Sequence, residues 1–300
     1  MSAAYPELTY ASRRERLVRE SMFWGSLDRL LRNPQGFVGL LVLGLLIGSA
    51  IFAPLLTWHD PNVQDASGRF LSPRWEHPFG TDELRRDLYA RTLYGLRVSL
   101  ALSLTSVSVG ATLGIMFGFF SGYVGGWIDA VMMRLIDALL AFPGLLSALA
   151  IVTILGPSIR NVAIAIAFFS VPSFARLSRA QMLGERNKDY VASAEALGAG
   201  ALRIVFRHIA PNAIAPLLTQ VALFMASAVI VSASLSFLGL GERAPDPSLG
   251  GLINTAKSNL QKAWWYPTFP GLALALLLLS LNLLADAIND AINPFARRRA

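Results

Sequence analysis

The chain of 300 residues contains no cysteine. That absence excludes disulfide frameworks, thiolate zinc sites, iron–sulfur clusters and cysteine nucleophiles. Charged residues are also scarce, at 15% of the chain, while apolar residues make up 54%. Soluble domains carry about 25% charged residues, so a water-soluble protein could not cover its surface with this composition. The lipid bilayer is the solvent that suits the chain, in agreement with its mean hydropathy of +0.51.

Six long runs that carry no Asp, Glu, Lys or Arg divide the chain. A helix needs roughly 20 apolar residues to cross the hydrocarbon core, and five runs reach that length. The fourth run is short, but its helix can extend to Ala180, with Arg176 and Arg179 at the interface. Since a helix satisfies its own backbone in lipid, the sequence predicts an all-α polytopic membrane protein with six transmembrane helices. The runs are Asn33–Trp58, Val98–Ile128, Ala138–Ile159, Asn161–Ala175, Ile209–Gly241 and Ala263–Ala285.

The net charge of +7 is unevenly distributed and predicts the orientation. With both termini cytoplasmic, the cytoplasmic segments hold fifteen Lys and Arg residues and the external segments hold ten. Cytoplasmic loops of membrane proteins carry such an excess, so the charge marks a membrane side and not a nucleic-acid partner. The predicted division is a cytoplasmic tail (1–35), a first helix with a long external loop (36–97), a five-helix core (98–292) that includes a cytoplasmic loop at 183–211, and a basic cytoplasmic tail (293–300).

A stripe of small residues follows the second predicted span. Gly110, Gly114, Gly118 and Gly122 recur at every fourth position, so they share one helix face. Such a face lets a second helix approach closely. Two interpretations stay open: tight packing inside the bundle, or a surface that slides or lines a pathway.

Charged residues near the ends of the spans also have two interpretations. Arg134 and Asp137 are three residues apart on the third span and can pair, and Asp286 and Asp290 are four apart on the sixth. Buried charges in membranes are costly and often functional, but these positions fall near the expected cytoplasmic boundary. We expect structural pairing or interfacial placement, with a cytoplasmic exit gate as the alternative.

Aromatic residues indicate where the external segments meet the membrane. Trp75, Trp264, Trp265 and Tyr266 are suited to the outer interface, where membrane proteins concentrate such rings. They are expected to anchor the protein or to form a rim that receives a partner.

The segment between the fourth and fifth spans is too polar to cross a membrane and too helix-prone for a plain linker. Its alanines favour a short helix that Gly198 and Gly200 interrupt, as a helix end with a left-handed residue requires. A second helical stretch, Ala201–Ile209, is followed by Pro211, which fits the first turn of the next span. The predicted cytoplasmic hairpin has a shape that can dock into a groove on a soluble partner.

This hairpin resembles the coupling motif of ABC-importer permeases, in which Glu-Ala-Ala is followed by Gly and, thirteen positions later, by Pro. Gly198 and Pro211 have that spacing, but Ala192 and Ser193 replace the signature Glu and the first Ala. The likeness is to the dipeptide/oligopeptide/nickel permease family, "C" type, and it extends over nearly the whole chain. The other matching segments are Ser236–Gly241, Pro245–Gly250, Ala263–Gly271 and the HPFGTD motif of His77, Pro78, Phe79, Gly80, Thr81 and Asp82, which precedes an ELGRD-like stretch with Arg85 in place of glycine.

The resemblance implies a type I ABC-importer permease fold in the cytoplasmic membrane of a prokaryote. It implies that the chain forms half of a translocation pathway together with a second homologous permease. Two separate ATPase subunits, which carry ATP and Mg, would grip the hairpin, and an external solute-binding protein would deliver the solute. The positions implied for coupling are Tyr190, Ala194, Glu195, Ala196, Leu197, Gly198, Ala199, Arg203 and His208.

No phosphate-binding Gly-Lys-Ser/Thr loop occurs in the sequence, so ATP hydrolysis is expected on another polypeptide. His59, His77 and His208 are expected on both sides of the membrane, so no metal site is predicted for this chain, and no catalytic group or bound cofactor is assigned. The solute stays open between dipeptides, oligopeptides, nickel and other small solutes. A self-sufficient secondary transporter, which would need coupling-ion groups at the midplane and often inverted repeats, is the alternative from another class.

Overall fold

The computed structural model describes residues 33–64, 68–242 and 245–292. The two predicted cytoplasmic tails therefore lie outside the described residues, apart from 33–35. The described chain is helical, with two isolated β-bridges, Arg74 to His77 and Thr81 to Asp87. Its helices are α1 (Pro34–Ile51), α2 (Ala53–Leu56), α3 (Leu88–Val124), α4 (Gly126–Leu140), α5 (Gly144–Leu155), α6 (Ile159–Arg186), α7 (Asp189–Ala196), α8 (Ala201–Arg203), α9 (Ala210–Phe237), α10 (Leu249–Ala256) and α11 (Trp265–Ile292).

Five helical stretches are long and apolar enough to cross a membrane, and α4 with α5 makes a sixth if this bent pair is one span. The all-helical, six-span fold class is thereby confirmed. The third span differs from its prediction because it begins at Gly126 and bends by 84° between α4 and α5. Pro143 caps α5 at this bend, and the residue before a proline is driven out of the helical region.

Helices α3 and α6 run parallel and form the most extensive helix pair of the bundle. Gly114 lies where a Cβ atom would be 2.6 Å from both Phe174 Cβ and the Val171 carbonyl oxygen. Cβ atoms at Gly110 and Gly118 would overlap Ser170 and Ser178 in the same way. The glycine stripe is therefore the contact face for α6, and it is buried within this chain.

Charged residues of α4 pair with α6 and not along α4 itself. Arg179 donates to both carboxylate oxygens of Asp129 at 2.5 Å, and Ser121 also donates to Asp129. Asp137 pairs with Arg176 and not with Arg134, the partner that the sequence spacing allowed, because α6 runs antiparallel beside α4 and brings its arginines next to the α4 carboxylates. On α11, Asp286 and Asp290 are exposed.

The spans place two groups of connecting segments at opposite ends of the bundle. Residues 57–87 and 238–264, without the undescribed 65–67 and 243–244, form the loop end. Residues 187–209 form the hairpin end, together with the turn between α3 and α4.

Candidate functional site

The first arm of the hairpin is α7, and its end is determined by Gly198. This residue has φ of +79°, a left-handed conformation that favours glycine. Its N–H donates to the Glu195 carbonyl at 2.9 Å, and the Ala199 N–H donates to the Ala194 carbonyl at 3.0 Å. These two bonds are the pair that defines a Schellman helix end, so the sharp turn follows from the position of one glycine.

The second arm is continuous with the next span, which differs from the separate short helix expected from the sequence. Residues Ala201–Phe237 form one helical stretch that passes through a π-helical turn at Ile204–Ile209. Pro211, in the first turn of α9, has no N–H and its ring would clash with the carbonyl of residue 207 in a regular α-helix. The wider π-helical turn lets the chain pass the proline without a break.

One side of the hairpin is buried against the bundle. Val191 of α7 packs with Ile204, Val205 and Ile209 of the second arm. The cluster also contains Phe119, Met182, Ala213 and Leu217 of the spans. Ala194 of α7 is buried as well, at 8% exposure, so it is not an exposed contact position.

The other side of the hairpin exposes large apolar residues. Leu197, Leu202 and Phe206 are 88%, 75% and 68% exposed. Among the implied coupling residues, Glu195, Ala196, Gly198 and Arg203 are also exposed, while Ala199 and His208 are half-buried. We call Leu197, Leu202 and Phe206 the apolar cap of the hairpin.

Tyr190 connects the hairpin to α6 through a residue that the sequence reasoning missed. Its hydroxyl donates to Glu185 Oε2 at 2.7 Å, and Lys188 Nζ donates to Glu185 Oε1 at 2.6 Å. Burial raises the pKa of Tyr190, and the carboxylate of Glu185 raises it further. The same carboxylate raises the pKa of Lys188 through its hydrogen bond. One sequence signal could have revealed this pair: Glu185 and Lys188 are three residues apart, a spacing at which opposite charges on a helical turn can meet.

The HPFGTD motif is the folded centre of the loop end. Asp82 accepts from the backbone N–H groups of Leu84 and Arg86, both at 2.8 Å, and from Arg86 Nε at 2.7 Å. The Thr81 hydroxyl accepts from the Leu71 N–H at 2.9 Å and donates to the Gly68 carbonyl at 3.0 Å. Thr81 and Asp82 are buried, so these side chains build the loop and do not contact solvent.

Packing explains the remaining motif positions. A Cβ atom at Gly80, which has φ of +76°, would lie 2.6 Å from Trp265 Nε1. Phe79 stacks on Phe269 with ring centroids 4.1 Å apart, next to the half-buried Pro78. The ELGRD-like stretch places Arg85 at φ of +64°, which explains why the family has glycine there.

The four aromatic residues expected at the outer interface separate into two pairs. Trp75 and Trp264 are exposed, but Trp265 and Tyr266 are buried in a cluster with Leu88. The expectation that Trp265 and Tyr266 lie at the interface is wrong, because α11 begins at Trp265 and turns both rings toward the first turn of α3.

The three histidines lie at two different ends of the molecule. His208 lies at the hairpin end, whereas His59 and His77 meet at the loop end with ring centroids 4.7 Å apart. His77 Nδ1 lies 2.8 Å from Asp87 Oδ2. The sequence reasoning treated the histidines as scattered because it had no means to show how the loop folds back.

Comparison with known proteins agrees with this arrangement. Residues 114–298 match the family model described as binding-protein-dependent transport system inner membrane component, and residues 21–73 match the N-terminal transmembrane domain of oligopeptide transport permease C. The chain is 40% identical over 266 residues to the dipeptide transport system permease protein DppC of Alkalihalophilus pseudofirmus, covering 89% of this chain and 88% of the relative. It is 39% identical over 269 residues to DppC of Escherichia coli, covering 88% and 90%.

A solved structure shows the same fold at low sequence identity. The inward-facing MetNI methionine ABC transporter matches with a TM-score of 0.56 and 17% identity, covering 69% of this chain and 97% of that chain. The chain therefore belongs to the binding-protein-dependent transport permeases, within their dipeptide and oligopeptide "C" type, and is a multi-pass membrane subunit of an ABC importer and not an enzyme.

Proposed function

We propose that this permease imports dipeptides or oligopeptides and is driven by separate ATPase subunits that dock on the hairpin end. The observation that carries the proposal is the apolar cap, where Leu197, Leu202 and Phe206 are exposed in a segment too polar to lie in lipid. An exposed apolar patch with a polar surround marks a protein interaction site. Arg203 and Arg207 are exposed beside the cap and provide the polar rim.

The hairpin is suited to transmit movement because its two sides are unlike. Val191 fixes α7 to the bundle, while the residues of the apolar cap are exposed. A force on the cap therefore reaches α6 through Tyr190 and Glu185, and it reaches α9 through the continuous second arm. Closure of two ATPases on ATP and Mg would tilt these helices between inward-open and outward-open states.

Ala192 occupies the position of the signature Glu of the family motif, and its side chain is exposed. Glu195 lies three residues further along α7 and is exposed as well. An acidic contact with the ATPase is therefore available from the adjacent helical turn, and Glu195 is the residue proposed for it.

The orientation follows from the same proposal. Docking of ATPases places the hairpin end in the cytoplasm, both termini on the same side, and the loop end outside the cytoplasmic membrane of a prokaryote. The exposed Trp75, Trp264 and Leu84 at the loop end then form the surface for a solute-binding protein, and the largely buried HPFGTD motif holds this loop in shape.

One six-span chain provides one wall of a pathway, so we include a second homologous permease in the assembly. The chain has an open groove between α9, α10 and α11, lined by Ile230, Ala233, Ser234, Phe237, Leu238, Gly250, Ile253, Leu274 and Leu278. The similar relatives are named as dipeptide transport permeases, which supports a peptide as the solute; nickel or another small solute is the alternative within the family.

Docking is tested by co-purification of the complex through this chain. Leu197→Asp, at the most exposed position of the cap, should greatly reduce the amount of ATPase subunit that co-purifies. Leu84→Asp makes the same change at an exposed position of the loop end and should leave it unchanged. Equal recovery of the ATPase with both variants would contradict docking at the cap.

A further inference from the structure

Three parts of the loop end meet at one place. His59 follows α2, His77 begins the HPFGTD motif, and Asp87 is the N-cap of α3. One ligand atom from each of these residues lies within 4.8 Å of the others. We propose that His59, His77 and Asp87 bind a divalent transition-metal ion, with zinc as the reference ion.

The chemistry of the three groups favours this class of cation. Two imidazole nitrogens and one carboxylate oxygen are ligands that Zn²⁺ uses, with a water in the fourth position of an open site. Mg²⁺ and Ca²⁺ prefer oxygen ligands and usually six or more of them. The chain has no cysteine, so no thiolate competes for the ion.

The three ligand atoms, which lie within 4.8 Å of one another, need to change their separations by no more than about 1.5 Å to reach zinc geometry. Zinc bonds of about 2.0–2.2 Å in a tetrahedron put neighbouring ligand atoms about 3.3 Å apart. His77 Nδ1 and Asp87 Oδ2 already face each other at 2.8 Å, so an ion that replaces their shared proton needs them to separate slightly. The other oxygen of Asp87 accepts from the Ala90 N–H at 2.7 Å, which holds the carboxylate in place.

The surroundings fix the site in position and give it access to solvent. His77 and Asp87 have side chains that are only 1% and 3% exposed, while His59, whose ring centroid lies 4.7 Å from that of His77, is half-buried. Arg91 of α3 donates to the Pro61 carbonyl at 2.8 Å, which holds the segment that carries His59 against the start of α3. The bound ion would join the segment after α2 to the N-terminus of α3 and so tie down the loop end.

The test measures zinc binding to the full-length chain, purified in detergent with an affinity tag that contains no histidine. Wild type should bind one Zn²⁺ per chain, and excess Mg²⁺ or Ca²⁺ should not displace it. His59→Phe keeps an aromatic ring against His77 but removes a ligand, so its affinity should fall at least about tenfold, the lower end of the loss seen when even an outer-shell partner of a metal is removed. His208→Phe, at the opposite end of the molecule, should bind as wild type does.

Asp87→Asn provides a second variant, because asparagine also caps helices but has no charged oxygen. It should fold with a melting temperature close to that of wild type without zinc, and it should lose the rise in melting temperature that zinc gives to wild type. Absence of zinc binding by wild type at micromolar free zinc, or unchanged affinity in His59→Phe, would overturn the proposal. Equal displacement by Mg²⁺ would overturn the choice of cation.

Discussion

The hydroxyl group of Tyr190 donates a hydrogen bond to the carboxylate of Glu185 over 2.7 Å, and this bond joins the hairpin to the end of α6. Tyr190→Phe keeps the ring and removes the bond. We expect the ATPase subunits to bind this variant normally, because the apolar cap is unchanged, while solute uptake per ATP hydrolysed falls several-fold.

Lys188 provides the matched control, since it pairs with the same carboxylate from an exposed position, where ion pairs contribute little. Lys188→Met should retain coupling close to that of wild type. A ratio of uptake to hydrolysis that is unchanged in Tyr190→Phe would show that the bond does not transmit movement.

Because α3 packs closely on α6, one added methyl group at Gly114 should cost much folding stability. In Gly114→Ala, the new Cβ atom would lie 2.6 Å from Phe174 Cβ, so one of the two helices must shift. Overpacking of this kind costs about 1–3 kcal/mol, and thermal unfolding in detergent should show a lower melting temperature. Gly48→Ala on α1 has no atom within 4 Å of the added methyl and should be neutral or slightly stabilising. Equal melting temperatures for the two variants would contradict the close approach of α3 to α6.

A backbone position at the loop end predicts a stabilising substitution. Arg85 adopts φ of +64°, which costs a residue other than glycine about 1–2 kcal/mol. Its side chain is exposed, so Arg85→Gly relieves the strain and loses little packing. We expect a higher melting temperature, partly offset by the greater freedom of glycine in the unfolded chain. Arg74→Gly, at another exposed position where φ is not positive, should not raise it.

Glu242 predicts how stability depends on pH. Burial raises the pKa of its carboxyl group above the ordinary value of 4.5, and Asp246 raises it further. Among the described residues, Glu242 Oε2 has no hydrogen-bond partner. The folded state therefore holds the proton more tightly than the unfolded state, and stability is lost as the pH rises through the folded pKa.

The variant Glu242→Gln removes this loss. Its melting temperature should exceed that of wild type at neutral pH, and the difference should shrink as the pH falls toward 4.5. Glu76→Gln changes an exposed carboxyl group and should show no such trend. If the difference in melting temperature between Glu242→Gln and wild type stayed constant with pH, the raised pKa of Glu242 would be contradicted.

Sequence reasoning predicted the parts of the fold that depend on local pattern. Charge-free runs indicate spans because lipid excludes charge, and Gly198 indicates a helix end because few residues tolerate its φ. The bend before Pro143 was missed because the apolar run continues across it. The burial of Trp265 and the meeting of His59 with His77 depend on contacts between distant segments, which composition does not encode.

The HPFGTD motif was likewise only partly predictable from the sequence. His77, Thr81 and Asp82 were identified by family resemblance as a unit, but the resemblance did not reveal that they are buried and hold the loop together. Their hydrogen-bond partners, such as the Gly68 carbonyl and the Leu71 N–H, come from a stretch with no recognisable motif.

Uptake by proteoliposomes tests the central claim, that this chain is an ATP-driven permease coupled through its hairpin. Vesicles that contain the chain, its partner permease and the ATPases, with ATP on the ATPase side and a solute-binding protein on the other, should accumulate labelled dipeptide. The same vesicles should fail to do so without ATP, without the ATPases, or with Leu197→Asp. Uptake by the chain alone, driven by an ion gradient and unaffected by Leu197→Asp, would contradict the account and identify a self-sufficient secondary transporter.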